Sequence, residues 1–460
     1  MVQITDYPFL DKFIPLAEGK DTHTNCFTVL LGRNGVGKSR LLAELVSNFS
    51  KPIQRNTSIY YPGQVNQLPA KIIAVSTSPF DKFPYARKYN STDSSYSYIG
   101  MRSSGGSTSN QMALILSAAK GLMEKYLESS QHENLAEIFQ LLSLESSLVF
   151  IFKINLKPKV EIKTPNGGSI TFAYDQMVPD FFDDDSESFK EILEIPVLQK
   201  YLDENKDKRA EIRHALATIW DEIEKKRGMF FKLEFDYSSR YKTGFINPKI
   251  ISSLLTLLNN NIVRLYDLKI LKKTPNQEHH EMSLRRASSG EQCLLVMALG
   301  IAGHIKDNSL ILIDEPEISL HPSWQSRFID LITNIFKGYR ECHFIIATHS
   351  PQIVSRLSHE NCFITTMDDK KLHHAKDFHQ RSADYQLTEL FDAPGMMNEY
   401  VSRVAFTLLT KVKSQKHITD TDKQDLNKLR QIKATLETGD PNIELINSVL
   451  EVCAYYASNK

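Results

Sequence analysis

Cysteine is scarce in this chain: five in 460 residues (Cys26, Cys293, Cys342, Cys362, Cys453), scattered, with no C-x-x-C pair. That excludes a disulfide scaffold and argues against a zinc site, leaving buried free thiols in a reducing cytosol as the expectation. Net charge is also absent, since Lys plus Arg equals Asp plus Glu at 55 each. No global electrostatic pull toward nucleic acid exists. Affinity of that kind would have to come from local patches such as Arg285-Arg286 or Lys370-Lys371. No apolar run approaches the ~18 residues of a membrane span, and the polar, charged first dozen residues do not read as a secretory signal. The expectation is a soluble cytoplasmic protein with no membrane partner. The length allows about two to three domains, and no internal repeat is visible.

What the chain does have is the run Gly32-Arg33-Asn34-Gly35-Val36-Gly37-Lys38-Ser39, which meets every fixed position of the phosphate-loop pattern G-x-x-x-x-G-K-[ST]. The apolar run CFTVLL (Cys26 to Leu31) before it reads as a buried strand. Arg40 to Phe49 after it carries apolar side chains at helical spacing. Glycines let such a loop wrap tightly, so that the N–H groups of Arg33, Asn34, Gly35, Gly37, Lys38, Ser39 and Arg40 point at phosphate oxygens. Lys38 would reach the β- and γ-phosphates and Ser39 would hold Mg²⁺. The expected ligands are ATP and Mg²⁺.

Three further motifs answer the loop. Leu310 to Ile313 is an apolar strand ending in Asp314-Glu315-Pro316-Glu317, a Walker B sequence. Asp314 is placed to bind the Mg²⁺ shell and Glu315 to polarise the attacking water, which is most of what phosphoryl transfer needs. Ala287-Ser288-Ser289-Gly290-Glu291-Gln292 precedes a helix (Gln292 to Ile305), and Ala347-Thr348-His349-Ser350-Pro351 follows a strand (His343 to Ile346). In this order the motifs resemble those of ABC-type ATPases, with Leu320-His321-Pro322 similar to their D-loop and His349 to the switch histidine at the γ-phosphate. The resemblance implies that Ser288, Ser289 and Gly290 of one subunit close over the γ-phosphate held by the loop of another. A Ser-Gly turn at a helix N-terminus suits that task, offering a hydroxyl and N–H donors to an anion.

SSGEQ in place of LSGGQ resembles the RecF/SMC/OLD-like group and the bacterial AAA-15/AAA-21 ATPases. The strand Ile72 to Ser76 runs into a Pro-broken loop where the family places its Q-loop. No Gln occupies it, and Ser78 and Asp81 are the candidates for the role. Length and layout look most like the ATPase subunit of Septu antiphage defence systems, with the PARIS ATPase a relative. That resemblance implies a sensor and regulator ATPase that assembles head to head, as a dimer or higher oligomer, and controls a separate nuclease subunit of the HNH type.

The expected fold is α/β: an ABC-type P-loop ATPase head split over 1–105 and 278–370, a mainly helical insertion with a small β-element at 106–277, and a helical C-terminal segment at 371–460. A Ser/Gly-rich stretch, Ser103 to Ser109, marks the exit into the insertion. Helical periodicity follows over Met112 to Leu127 and Leu135 to Leu144. A hairpin then turns at Pro165-Asn166-Gly167-Gly168, and an acidic loop (180–185) leads into two charged helices near 187–203 and 206–227. Strand-like Phe230 to Tyr237 and Val263 to Leu271 return the chain to the head. After the strand Cys362 to Met367, four amphipathic helices are expected at 384–391, 396–413, 420–438 and 442–456.

Nuclease chemistry is missing from this inventory. Asp368-Asp369 reads as a charged turn, and His279-His280 and His373-His374 as solvated turns without carboxylates at ligand spacing. Two other readings stay open. One is a stand-alone RecF/SMC-like DNA-repair ATPase, against which stand a short insertion and absent hook cysteines. The other is a transporter-type cassette, against which stand the long insertion and no coupling-type sequence around 78–100.

Overall fold

The computed structural model describes residues 2–19, 23–50, 64–65, 67–84, 95–100, 110–128, 135–156, 159–163, 169–173, 206–224, 229–237, 246–273, 279–357 and 361–458. The expectations for 103–109, for the turn at 165–168, for the acidic loop at 180–185 and for the charged helix near 187–203 lie outside these residues.

The chain opens with β1 (Ile4–Phe9), β2 (Lys12–Pro15), β3 (Cys26–Leu31), α1 (Lys38–Phe49), β4 (Gln64–Val65), β5 (Lys71–Ser76) and β6 (Tyr96–Gly100). The middle holds α2 (Asn110–Glu128), α3 (Ala136–Leu141), β7 (Leu144–Ile154), β8 (Lys159–Lys163), β9 (Ser169–Ala173), α4 (Lys206–Ile219), β10 (Phe230–Asp236), α5 (Pro248–Asn259), β11 (Val263–Lys273) and β12 (His279–Ser283). Then come α6 (Ser289–His304), β13 (Ser309–Asp314), α7 (Pro322–Phe336), β14 (His343–Ala347), α8 (Pro351–Val354), β15 (Cys362–Thr366) and β16 (Lys371–His374). Helices α9 (Ala383–Glu389), α10 (Glu399–Gln415), α11 (Asp420–Thr435) and α12 (Pro441–Ser458) complete the described residues.

The central sheet has seven strands in the order β16-β15-β3-β14-β13-β5-β6, parallel throughout except for the edge strand β16. Its inner strands are covered on both faces, which is why they read as unbroken apolar runs. On one face Leu30, Leu310, Leu312 and Ile345 pack with α1 and the small antiparallel sheet β2-β1-β4. On the other, Val29, Ile73, Ile311, Ile313 and Ile346 pack into a larger core with α2, α6 and α7. Alternate residues of each strand thus serve different layers. The fold is α/β with a parallel sheet.

Strands β7, β12 and β16 were not anticipated. Residues 135–144 read as a helix, yet α3 stops at Leu141 and Ser143 turns into the left-handed region at φ 55°. From Leu144 the chain runs extended for eleven residues, with Leu148, Phe150, Phe152 and Ile154 buried. This β7 lies at the centre of a four-stranded antiparallel sheet, β10-β7-β11-β12. A sheet centre rewards β-branched and aromatic residues, and that context overrides the short helical period. β12 carries His279 and His280 within a ladder to β11, and His373 and His374 lie on the edge strand β16, so neither pair is a turn.

Buried residues of α2, α4, α5, β7, β10 and β11 belong to the same continuous core as the head sheet. The tightest join is between α2 and α6. A Cβ on Gly303 would lie 2.7 Å from the backbone of Gly121 and Leu122, and one on Gly121 would lie 2.7 Å from the His304 ring. The last three helices, α10 to α12, wrap a core of their own around Val401, Leu408, Leu429, Ile446, Val449 and Cys453. All five cysteines are buried and free, and no helix among the described residues is long and apolar enough to cross a membrane.

Two buried histidines tie the layers together. His343 accepts the Ile4 N–H at Nδ1 (3.3 Å), and its Nε2 faces Thr28 Oγ1 at 2.9 Å, so the bonding pattern assigns a neutral ring protonated at Nε2. Burial lowers the pKa of both His343 and His304 from 6.5 to about 3. Unfolded, each would bind a proton near pH 6.5. Stability from these rings is therefore complete above that value and lost as pH falls toward 3. Each ring contributes a loss of roughly 1 kcal/mol per pH unit in the middle of that window, while the buried Asp314 carboxyl, raised to about 7, contributes in the opposite sense. Denaturant melts of the parent and of His343→Gln between pH 7 and 4.5 compare the two slopes; the variant should lose part of the pH dependence, and equal slopes would contradict it.

Candidate nucleotide site

Strands β3, β14 and β13 end side by side, with Leu30 registered to Ala347 and Ala347 to Asp314. The loops that follow them therefore share one edge of the sheet, where open α/β folds place their ligands. The first loop is Gly32 to Ser39. Gly37 caps α1 at φ 104°, and a Cβ there would sit 2.9 Å from Phe9 Cζ, so only glycine fits. Arg33, Asn34 and Gly35 are exposed at the loop tip. Arg40 lies over the Phe9 ring and pairs with Glu44.

Lys38 is buried at the start of α1. Its ammonium donates to Gly32 O at 2.8 Å and to His349 Nε2 at 2.7 Å. Burial lowers its pKa, while Glu315, Asp314, Glu317 and Asp368 pull it back up. His349 is shifted down by burial and by the Lys38 cation, against Glu315. A neutral imidazole accepting from an ammonium is the consistent arrangement.

Ser39 Oγ donates to Asp314 Oδ1 at 3.0 Å. Asp314 is 2% exposed, and burial, with Glu315, Asp81 and Glu317 nearby, pushes its carboxyl up to about 7. A buried carboxylate among like charges suits a divalent cation, which would restore the ionised form. Ser39 and Asp314 fit Mg²⁺ in that sense. Among the described residues no group of three or more His, Cys, Asp or Glu is set to hold a metal.

Glu315 adopts φ 48° and ψ 56°, a left-handed conformation that costs a non-glycine residue about 1–2 kcal/mol. Its N–H donates to Ala347 O at 2.9 Å, holding the turn in place. Its Oε1 comes within 3.8 Å of His349 Nε2. Strain of this kind concentrates at functional sites.

The structure thus brings Lys38, Ser39, Asp314, Glu315 and His349 together. It does not bring Ser288, Ser289 or Gly290 to them: no hydrogen bond or ion pair joins the two groups among the described residues. Ser288 instead caps α6, accepting the Glu291 N–H at 3.2 Å while its own N–H donates to Glu291 Oε2 at 2.9 Å. Ser288 and Ser289 are exposed. Gly290 is buried, and a Cβ on it would lie 3.4 Å from Ser319 O. Of the Q-loop candidates, buried Asp81 accepts the Tyr98 hydroxyl at 2.6 Å and acts on Asp314, while Ser78 Oγ takes the Phe80 N–H within its own turn.

The contacts of two acidic residues at this edge were not foreseen from the sequence. Asp368 is in a turn, as expected, but the turn abuts the loop: Asp368 Oδ2 accepts the Arg33 N–H at 3.0 Å. The Arg33 guanidinium lies 3.6 Å from Asp392. Placement of the strand Cys362 to Met367 beside the loop strand was the signal that could have found this. Glu317 folds back so that Oε1 accepts the His349 N–H at 2.5 Å. Burial raises its pKa, opposed chiefly by that N–H.

Lys38→Ala removes the loop's buried cation and should lower ATP affinity by about 100-fold or more. Asp368→Asn keeps an acceptor for the Arg33 N–H and should retain binding. Fluorescence anisotropy of a labelled ATP analogue measures both, and equal loss in the two variants would show that the loop depends on the Asp368 charge.

The family described as "AAA domain, putative AbiEii toxin, Type IV TA system" matches residues 153–355. That span contains the Ser288, Asp314 and His349 motifs and leaves the phosphate loop outside. The chain is similar to "Retron Ec83 probable ATPase" of Escherichia coli, 27% identical over 183 residues, 37% of this chain and 32% of that protein. The alignment thus spans about a third of that relative's length. It is also similar to "Retron Vc95 probable ATPase" of Vibrio cholerae serotype O1 biovar El Tor, 21% identical over 468 residues, 94% of this chain and 86% of that protein. Among solved structures, Stu0660 of Streptococcus thermophilus aligns over 98% of this chain and 100% of that one at 12% identity, and its TM-score of 0.33 lends the assignment no weight. The matched domain and the two retron ATPases support an AAA/ABC-type ATPase of the RecF/SMC-like group.

Proposed function

We propose that this protein binds and hydrolyses ATP as the sensor and regulator subunit of a bacterial antiphage defence complex, acting in the cytoplasm on a separate nuclease subunit of the HNH type. One observation carries the ATPase part: a buried lysine, a Ser-Asp pair, a strained glutamate and a neutral histidine converge at the ends of three adjacent parallel strands. Bound Mg²⁺ would neutralise phosphate charge at Ser39 and Asp314. Glu315 is placed to orient the attacking water, and Lys38 and His349 to meet the γ-phosphate. Positioning and charge stabilisation of this sort make up most of phosphoryl-transfer catalysis.

The defence role is supported by the two relatives named for retrons and by the resemblance of the motif layout to the Septu ATPase subunit. Sharing of the site between two copies is supported by the exposure of Ser288 and Ser289 at the positive end of α6. Closure of two heads over ATP would keep the nuclease partner silent while nucleotide is plentiful, and hydrolysis or depletion would release it.

Glu315→Gln should retain ATP and stall turnover, with single-turnover assays showing a loss of at least about 100-fold. Ser288→Arg should leave ATP binding to the monomer intact and block closure, and mixing it with Lys38→Ala should restore at most one working site per pair. Full turnover by Ser288→Arg alone would sink the shared site. The purified chain should cleave neither plasmid, single-stranded DNA nor tRNA in Mg²⁺, and cleavage abolished by mutating Asp368 and Asp369 would overturn the assignment of the nuclease to a partner.

A further inference from the structure

Directly after Glu315 the chain makes one 3₁₀ turn, Pro316 to Ser319, before α7 begins at Pro322. Three facts set this turn apart. The Glu317 carboxylate points back toward the sheet edge rather than out to water, and its Oε1 accepts the backbone N–H of His349 at 2.5 Å. Its second oxygen, Oε2, is buried and makes no well-formed hydrogen bond, although the Thr348 hydroxyl lies close enough to favour the ionised carboxylate. The turn is also bound from behind by Gln325 of α7, whose Nε2 donates to Leu320 O at 2.9 Å and to Glu317 O at 3.4 Å.

Gln325 has a second attachment. Its Oε1 accepts the Ser350 hydroxyl at 2.7 Å, and Ser350 caps the short helix α8 with that same oxygen. The His349 turn is therefore held at two neighbouring residues, by Glu317 at 349 and by Gln325 at 350. Both holds originate in the segment 317–325. That segment also meets the signature helix, since Gly290 packs against Ser319 O.

A carboxylate buried with one oxygen making no well-formed hydrogen bond is an expensive way to hold a backbone N–H. A serine or threonine could cap the same N–H at less cost. A charge-assisted bond is shorter and stiffer than a neutral one, and stiffness matters here because the imidazole of His349 meets Lys38 at 2.7 Å and Glu315 at 3.8 Å. Displacement of a reacting group by about 1 Å can cost on the order of 100-fold in rate.

We infer that Glu317 and Gln325 are a pair of positioning residues that fix the backbone of the His349 turn, so that the imidazole faces the γ-phosphate position beside Lys38. The inference rests on the ATPase reading and adds two residues that the motif reading leaves without a role. It assigns no contact between either residue and nucleotide. Binding and catalysis should therefore separate.

The test uses the full chain and three variants: Glu317→Gln, which keeps an acceptor oxygen of the same reach, Glu317→Ala, which has none, and Gln325→Ala. Each is measured for affinity to a labelled ATP analogue, steady-state ATP turnover and thermal midpoint. Expected is an affinity within about twofold of the parent for all three, with kcat lowered about tenfold or more in Glu317→Ala and Gln325→Ala and within about threefold in Glu317→Gln. Wild-type kcat in both alanine variants overturns the inference. So does a fall in affinity and melting temperature in step with kcat, because that is the signature of a merely structural role. Should Glu317→Ala fail to fold, Glu317→Gln and Gln325→Ala decide: equal kcat in the two refutes the pair. A parent chain that binds no ATP would instead refute the ATPase reading, a separate and recognisable outcome.

Discussion

The ammonium of Lys38 is the charge on which the candidate site depends. It is buried, and desolvation alone would push it toward neutrality. Four carboxylates (Glu315, Asp314, Glu317 and Asp368) act on it in the opposite sense. Each comes from the end of a strand of the same parallel sheet, β13 or β15, or from the loop after it, while Lys38 follows β3. Their convergence is a consequence of strand order: β15, β3, β14 and β13 are consecutive neighbours. The acids in turn are held back from ionising by burial, as Asp314 and Glu317 are. Such a cluster, short of positive charge, is poised for a cation and phosphates together.

Much of this was legible in the sequence because the motifs are local. G-R-N-G-V-G-K-S specifies a turn that only glycines at positions such as 37 can make, and the apolar runs on either side specify the strand and helix. Asp314, Glu315 and His349 likewise sit at the ends of recognisable buried strands. What escaped were the partners supplied by distant chain. Asp368 lies 335 positions from Arg33, and nothing in a charged Asp-Asp pair tells which strand lies beside the one it follows. Glu317 was visible within D-E-P-E, but its backward turn depends on α7 and on the His349 backbone.

The middle of the chain was harder for a different reason. Leu144 to Ile154 carries apolar residues on both faces, so its strand period is blurred, and the leucines that follow α3 extend its helical period to the start of the strand. Only pairing with β10 and β11 decides the matter. His279-His280 misled in the same way, as polar residues on a strand that ends a sheet. The four C-terminal helices, by contrast, were plain, because the stripe Ile446, Val449 and Cys453 packs into a small bundle core at ordinary helical spacing. The contact of Arg33 with Asp392 places the loop just before that bundle beside the phosphate loop.

The most direct test is a structure of the Glu315→Gln chain with Mg²⁺ and ATP. The account predicts a triphosphate wrapped by Gly32 to Ser39, Mg²⁺ between Ser39 and Asp314, and a γ-phosphate within hydrogen-bonding reach of Lys38 and His349. A nucleotide bound elsewhere, or a bound triphosphate with Lys38 still on Gly32 O and His349 turned away, would contradict it.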